Sequence, residues 1–135
     1  MRAESQLRYL ALITLLASPA WGQTPLSIEE FRRLSDGKTL YFSQGGRFYG
    51  AEQYLSNNRT RWQYADGQCI EGKWFAEGTS LCFEYQDSPQ SQCWIMWEEG
   101  GDLLARPYEA PQSVPIELER RDELPLPCAG PDLGV

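Results

Sequence analysis

Residues 80–97, SLCFEYQDSPQSQCWIMW, decide the fold class of this chain. Leu81, Phe83 and Tyr85 alternate with smaller or polar residues, a pattern that predicts a strand with one buried face. A turn sequence at residues 87–89 separates this strand from a second apolar run at residues 93–97. Two such runs joined by a tight turn predict an antiparallel hairpin.

The same pattern continues outward from this hairpin. Turn dipeptides recur about every eight to twelve residues, mostly as Gly-Gly, Asn-Asn, Asp-Gly or Glu-Gly pairs. In the last predicted strand, Val114, Ile116 and Leu118 share the expected inner face. The predicted strands lie near residues 38–43, 47–55, 59–65, 68–75, 79–85, 92–98, 102–108 and 113–120.

Eight short strands in about 80 residues predict a mainly β fold. We expect a small up-and-down antiparallel barrel or a strongly curved sheet, because closure removes exposed strand edges. A two-sheet sandwich is the alternative, although it usually needs longer crossover loops than this spacing offers. The expected domain covers residues 23–120.

One short helix is predicted before the strands. Ser27 and Glu30, three residues apart, form a capping box at its start. Phe31 and the apolar residues three positions before and after it share one face at helical spacing. An Asp-Gly pair at residues 36–37 ends the helix. We expect this amphipathic helix to close one end of the barrel.

The first 22 residues resemble a secretory signal peptide. Two arginines precede nine apolar residues at 9–17 (YLALITLLA), and the sequence SPAWG follows at 18–22. The apolar run is shorter than the roughly 20 residues that cross a bilayer. We therefore expect a soluble bacterial protein, periplasmic or secreted, with no membrane anchor after cleavage. Removing residues 1–22 changes the formal charge from −7 to −8.

The four cysteines fit this location. Cys69, Cys82, Cys93 and Cys128 are an even number in an oxidising compartment, which predicts two disulfides. Their separations of 13, 11 and 35 residues fit no zinc-binding pattern. If residues 87–88 form a two-residue turn, Cys82 stands opposite Cys93. Cys128 lies in a proline-rich tail, residues 121–135, which a Cys69–Cys128 bond would hold to the fold.

Composition excludes several classes of function. The chain has no histidine, so it has neither a Ser-His-Asp set nor a histidine-bound metal. With 12 basic and 19 acidic residues, it is not expected to bind nucleic acid. We expect no metal and no cofactor. A carboxylate hydrolase would need two of Glu52, Glu71, Glu84 and Glu98 to converge in a cleft.

The apolar run at residues 93–97 is the first candidate for a binding surface. It is apolar on both faces, so it is either covered on both sides or presents one face as a ligand cup or an aromatic platform. With Cys82 opposite Cys93, Trp94 turns inward and Trp97 outward. A register slip of one residue would exchange these two roles.

A second aromatic pair supplies the remaining candidates. Trp62 and Tyr64 alternate with Arg61, which is either a ligand-binding residue or the partner of a neighbouring glutamate. Arginine beside aromatic rings suits a carboxylate or a sugar. The candidate contact residues are therefore Trp62, Tyr64, Trp94, Trp97 and Arg61.

Several of these features occur together, in order, in a known family. The chain contains SIEEF at 27–31, GKTLY at 37–41, GRFY at 46–49, EGKWF at 71–75, LCF at 81–83 and CW at 93–94. Over residues 27–97 it resembles a family of small secreted proteobacterial proteins, the domain of unknown function 995 family. The resemblance implies the helix-then-barrel layout, supports the Cys82–Cys93 pair and supplies no catalytic residues. The segment at 72–74 (GKW) is similar to the Gly-x-Trp of lipocalin-type, calycin-like barrels in architecture only.

These observations favour a non-enzymatic binding or interaction module. It would present an aromatic surface or barrel mouth to an envelope protein or a small ligand. As an acidic monomer it would suit a role as inhibitor of a basic envelope hydrolase, since its charge would speed their encounter. A lipocalin-like carrier of a small apolar ligand is the alternative and requires an unfilled barrel interior. A carboxylate-based hydrolase is the third hypothesis.

Overall fold

The eight predicted strands and the single helix are all present. The computed structural model describes residues 23–129, so the predicted signal peptide at 1–22 and the last six residues lie outside the described chain. The elements are α1 (Ile28–Ser35), β1 (Thr39–Gln44), β2 (Arg47–Tyr54), a short 3-10 turn (Ser56–Asn58), β3 (Arg59–Tyr64), β4 (Cys69–Glu77), β5 (Ser80–Tyr85), β6 (Gln92–Glu99), β7 (Asp102–Pro107) and β8 (Ile116–Asp122).

The strands form a closed antiparallel barrel. Each strand pairs with the next along the chain, and β8 returns to pair with β1. The up-and-down barrel prediction is therefore confirmed, and the chain is not a sandwich. Every connection joins neighbouring strands, so most are short turns, and the longest are the β5–β6 connection at residues 86–91 and the β7–β8 connection at residues 108–115. At the β2–β3 connection, Asn57 and Asn58 both adopt positive φ, a conformation that asparagine tolerates better than most residues.

Helix α1 closes one end of the barrel, as expected. The capping box is formed, with Ser27 Oγ accepting from the Glu30 backbone N–H at 3.1 Å. Phe31 is fully buried and packs edge-to-face against Tyr54 at 5.5 Å and against Trp74 at 5.1 Å between ring centroids. The helix is thus part of the barrel core rather than a separate surface element.

The C-terminal tail runs across the outside of β2 and β3. Leu126 is buried, and its backbone N–H donates to the Gln53 side chain at 3.1 Å. Gln63 on β3 donates to the Pro127 carbonyl at 2.9 Å. The Cys69–Cys128 disulfide, with a Cα separation of 5.5 Å, joins the tail to β4. The predicted attachment of the tail by this bond is confirmed.

The second disulfide joins β5 to β6. Cys82 and Cys93 stand opposite each other in the strand register, as predicted, although the connection between the strands covers residues 86–91 and is longer than the expected two-residue turn at 87–88. Leu81 pairs with Trp94 in the same register, so these side chains share the inner face. The two disulfides indicate a non-cytoplasmic protein, because such bonds persist in oxidising compartments. Among residues 23–129, no helix is long and apolar enough to cross a membrane.

The last strand differs from the sequence prediction. Val114, expected on the inner face, is 65% exposed and lies before β8, which begins at Ile116. The segment before Ile116 connects β7 to β8 and forms no sheet pairing that would turn Val114 inward. At its other end β8 continues to Asp122, two residues beyond the expected end of the domain.

The Cys69–Cys128 bond is expected to stabilise the fold by about 1.5 kcal/mol more than the Cys82–Cys93 bond. The bonds span 59 and 11 residues, and the chain-entropy model makes the longer closed loop the more stabilising by about that amount. Each bond is measured in a variant that retains only that pair, by urea unfolding in oxidised and reduced forms. An equal or larger contribution from Cys82–Cys93 would contradict the expectation.

Candidate ligand cavity in the barrel

The barrel interior contains a cavity of about 570 Å³. Phe31 of helix α1 lies at its closed end. The loops after β3 and β5 form its mouth, where Asp66 and Asp87 lie. Pockets of this size are typical of small-molecule sites. The lining residues are Phe31, Phe42, Tyr49, Glu52, Tyr54, Trp62, Tyr64, Ala65, Asp66, Leu81, Phe83, Tyr85, Asp87, Gln92, Trp94, Met96, Ala105 and Ile116.

Glu52 is the one acidic side chain in the deep part of this lining. It is 2% exposed, and its neighbours on the adjoining strands are Leu40 and Trp62. The Tyr85 hydroxyl donates to the carboxyl group and lies 3.0 and 3.1 Å from its two oxygens. Burial raises the pKa of Glu52 to about 8, while the nearby hydroxyls of Thr60 and Tyr85 oppose the shift. The carboxyl is therefore mostly protonated at neutral pH in the empty cavity.

The tyrosines around Glu52 remain neutral. Burial, followed by the proximity of Glu52, raises the pKa values of Tyr54 and Tyr85 well above that of free tyrosine. The Thr60 Oγ1 atom is buried and has no partner at full hydrogen-bond geometry among the described residues. It nevertheless lies close enough to Glu52 to stabilise the ionised carboxylate and so to lower its pKa. The deep cavity thus offers one titratable acid amid neutral hydroxyls and aromatic rings.

Two glycines allow aromatic rings to lie against the barrel wall. A Cβ atom on Gly50 would come within 2.1 Å of the Trp62 ring, and one on Gly72 within 2.6 Å of the Tyr85 ring. Both rings lie over a neighbouring strand's backbone, where any larger residue would displace them. Gly72 therefore helps to place the Tyr85 hydroxyl at Glu52.

The aromatic rings near the mouth form a connected group. Tyr49 packs edge-to-face against Trp62 at 5.9 Å and against Trp94 at 6.4 Å between ring centroids. Trp62 in turn lies 6.5 Å from Tyr64, which is 40% exposed and donates a hydrogen bond to Asp87 at 3.4 Å. We call Tyr49, Trp62, Tyr64 and Trp94 the aromatic ring group.

Three of the five predicted contact residues line the cavity. Trp62, Tyr64 and Trp94 all face inward. Arg61 lies on the outer face of β3, where its Nε donates to Glu71 at 2.6 Å. The alternative interpretation of Arg61, as the partner of a neighbouring glutamate, therefore fits its position.

Trp97 lies on the outer face but is not exposed. It is 2% exposed, forms a bridge with Pro25 and donates from its indole nitrogen to Glu99 at 3.2 Å. Arg106 packs over its ring at 5.7 Å. The expectation that Trp97 would be an outward contact residue is therefore wrong, because the segment before helix α1 packs against this side of β6.

Most of the lining residues were not among the predicted contact residues, and three of them, Tyr49, Glu52 and Tyr85, carry the chemistry of the site. Tyr49 turns inward because β2 contains a bulge there: Phe42 pairs with Gly50 but Ser43 pairs with Phe48. Glu52 lies two residues from Gly50 and two from Tyr54 along β2, and this period of two was the sequence signal that its side chain shares their inward face. An acid at an inward position runs against the usual burial of apolar residues, so the residue type argues against the position that the alternation indicates.

The four glutamates considered for hydrolysis do not converge. Glu52 lies in the cavity, whereas Glu71 pairs with Arg61 and Glu84 pairs with Lys73 at 3.4 Å on the outer face. Glu98 is exposed and outside the cavity lining. These positions form no pair of facing carboxylates.

One described group has the spacing of a metal site but not its chemistry. Glu77, Cys82 and Cys93 bring their ligand atoms within 4.8 Å of one another. The two sulfur atoms are joined in a disulfide, so neither is the thiolate that binds a metal ion. This group therefore offers a single carboxylate ligand.

Comparisons with protein-family models, with curated proteins and with solved structures found no match to this chain.

Proposed function

We propose that this protein is a periplasmic or secreted binding protein that carries a small, largely apolar molecule inside its barrel. The observation that carries the proposal is the aromatic-lined cavity of about 570 Å³ with one end closed by Phe31. Barrels of eight strands are often filled by their own side chains or hold one small ligand. A carrier of this kind requires an unfilled interior, and the cavity provides one.

The carrier hypothesis has more support than a protein-binding surface. Trp62 and Trp94 face the cavity, and Trp97 is covered by the chain's own N-terminal segment. A hydrolase has less support, because the candidate glutamates are dispersed. We therefore place this protein among non-enzymatic carriers rather than inhibitors or hydrolases.

Export and family membership are part of the same proposal. The two disulfides and the leader-like residues 1–22 support cleavage and release outside the cytoplasm of a bacterium. The ordered motifs over residues 27–97 support membership of the domain of unknown function 995 family. The family has no assigned activity, so the cavity carries the functional argument.

The oxidised protein is expected to bind the uncharged dye N-phenyl-1-naphthylamine with one saturable site and a Kd on the order of 10 μM. Ala105→Phe places a ring inside the cavity and should weaken binding about tenfold or more. The matched control is Ala110→Phe, because Ala110 is exposed in the β7–β8 loop. Fluorescence titration of the dye measures the Kd of the wild type and of each variant.

A second variant separates loss of binding from disturbance of the barrel core, because Ala105 is itself buried. Ala65→Trp narrows the mouth from an exposed position, so it should weaken dye binding without loss of thermal stability. Absence of saturable dye binding by the wild type, or equal binding by all variants, would overturn the carrier proposal.

A further inference from the structure

The cavity wall carries an unusual balance of charge. Its described lining contains three acidic residues, Glu52, Asp66 and Asp87, and no lysine or arginine. Glu52 lies in the deep part, and the two aspartates lie at the mouth. The two aspartates at the mouth would repel an entering anion and attract an entering cation, and a cation inside the cavity would be attracted by the Glu52 carboxylate once Glu52 ionises.

Glu52 has no cationic partner among the described residues. The ion pairs found within residues 23–129 involve other acids. The side-chain groups that stabilise the Glu52 carboxylate are two hydroxyls, the Tyr85 hydroxyl at 3.0 and 3.1 Å from its oxygens and the nearby Thr60 hydroxyl. A carboxylate has about four acceptor positions, and each of these two hydroxyls can donate to only one of them at a time. An ionised Glu52 therefore has spare acceptor positions at a site that is 2% exposed, where a charged partner is favoured more than at the surface.

The aromatic ring group supplies the second component of a cation site. Tyr49, Trp62 and Trp94 lie in contact around the cavity, with centroid separations of 5.9 and 6.4 Å. Trp62 also pairs with Glu52 across the β2–β3 ladder. Electron-rich ring faces attract ammonium groups, and tryptophan does so most strongly. With Glu52 beside the aromatic ring group, the cavity can bind a ligand that carries a positive charge on an apolar body.

We propose that the ligand is an organic cation, an amine or quaternary ammonium group on an apolar body, held by the Glu52 carboxylate and the rings of Tyr49, Trp62 and Trp94. This proposal rests on the carrier function and names its ligand class. Asp66 and Asp87 would attract the cation to the mouth, while Phe31, Leu81 and Phe83 would contact the apolar body. No charged group of the protein other than Glu52 need be buried with it.

Binding of such a cation couples to the protonation of Glu52. The groups that face Glu52 are Tyr54 on its own strand, Tyr64 on β3 and Tyr85 on β5, all with pKa values raised above that of free tyrosine. They stay neutral while Glu52 titrates. A permanent cation favours the ionised carboxylate, so its binding near neutral pH should release a proton. Its affinity should fall about tenfold for each pH unit below about 8.

The test uses three probes that share a naphthalene ring but differ in charge. They are the cation (1-naphthylmethyl)trimethylammonium, the neutral alcohol 1-naphthalenemethanol and the anion 1-naphthaleneacetate. Each is titrated by calorimetry into the oxidised protein at about pH 8.5. We expect the cation to bind about tenfold or more tightly than the alcohol, and the acetate to bind most weakly. Repeating the cation titration in buffers with different ionisation enthalpies at about pH 7 measures the released proton.

Glu52→Gln is the decisive variant. It should remove the preference for the cation and the proton release, while binding of the alcohol remains. Glu98→Gln is the matched control, because it removes the same charge from an exposed position outside the cavity. The pH profile of the wild type gives the same answer without a variant.

The outcomes separate this inference from the carrier function. If the alcohol binds as tightly as the cation, or if Glu98→Gln reduces the preference as much as Glu52→Gln, the cation proposal is wrong and the carrier function stands. If none of the three probes binds but the dye does, the cation proposal is again wrong and the carrier function stands. If neither the dye nor any of the three probes binds, both proposals are wrong.

Discussion

Raising the pH from about 5 to about 9 is expected to lower the free energy of unfolding through Glu52 by on the order of 4 kcal/mol. The pKa of Glu52 is about 8 in the folded protein, against 4.5 for a free glutamate. Between these values the unfolded chain has lost the proton and the folded chain still holds it. The folded state therefore binds more protons, and its stability falls as the pH rises until Glu52 ionises in the folded state as well.

Glu52→Gln isolates this effect. The glutamine amide stays neutral at every pH, so the variant should lose the part of the pH dependence that comes from Glu52. It should match the wild type at about pH 5 and exceed it by a few kcal/mol at about pH 9. Urea unfolding at several pH values measures the difference, with Glu98→Gln as the control. Parallel pH profiles for the wild type and both variants would contradict the assignment of a buried, neutral Glu52.

Phe31→Ala is expected to cost about 3–5 kcal/mol of unfolding free energy. The ring is fully buried at the closed end of the barrel, edge-to-face with both Tyr54 and Trp74. The substitution removes two aromatic pairs, each worth about 0.5–1.5 kcal/mol beyond its buried area. It also leaves helix α1 without its principal contact with the barrel core.

The control for this substitution is Phe48→Ala. Phe48 is 42% exposed on β2, so its loss should cost about 1 kcal/mol or less. Chemical unfolding compares the two variants, and hydrogen exchange of residues 28–35 reports the helix. A cost for Phe31→Ala no larger than that for Phe48→Ala would mean that the helix is not part of the cooperative barrel unit.

Most of the architecture is local and was therefore predictable. The capping box of Ser27 and Glu30 involves contacts only three residues apart. The strand connections follow from turn dipeptides, because each strand pairs with its neighbour in sequence. The Cys82–Cys93 pair follows from a single hairpin register. In such cases the contacts that stabilise an element are close in sequence, so the residues that form it are also the residues that reveal it.

The site was predicted only in part. Trp62, Tyr64 and Trp94 follow from the period-two alternation of their strands. Tyr49 depends on a β-bulge, which shifts the register between Phe42 and Ser43 and is not marked in the sequence. Trp97 was assigned to the correct face but the wrong environment, because its burial depends on a segment some 70 residues away in the chain.

By itself, then, the sequence determined the barrel, its closing helix and its two disulfides, together with the absence of histidine chemistry. Only the tertiary structure decided that the barrel is unfilled and that Glu52 lies inside it. A cavity is the volume left after every strand's side chains have been placed. It depends on the rings of Trp62 and Tyr85 lying close against Gly50 and Gly72 of neighbouring strands, an arrangement that no single segment specifies.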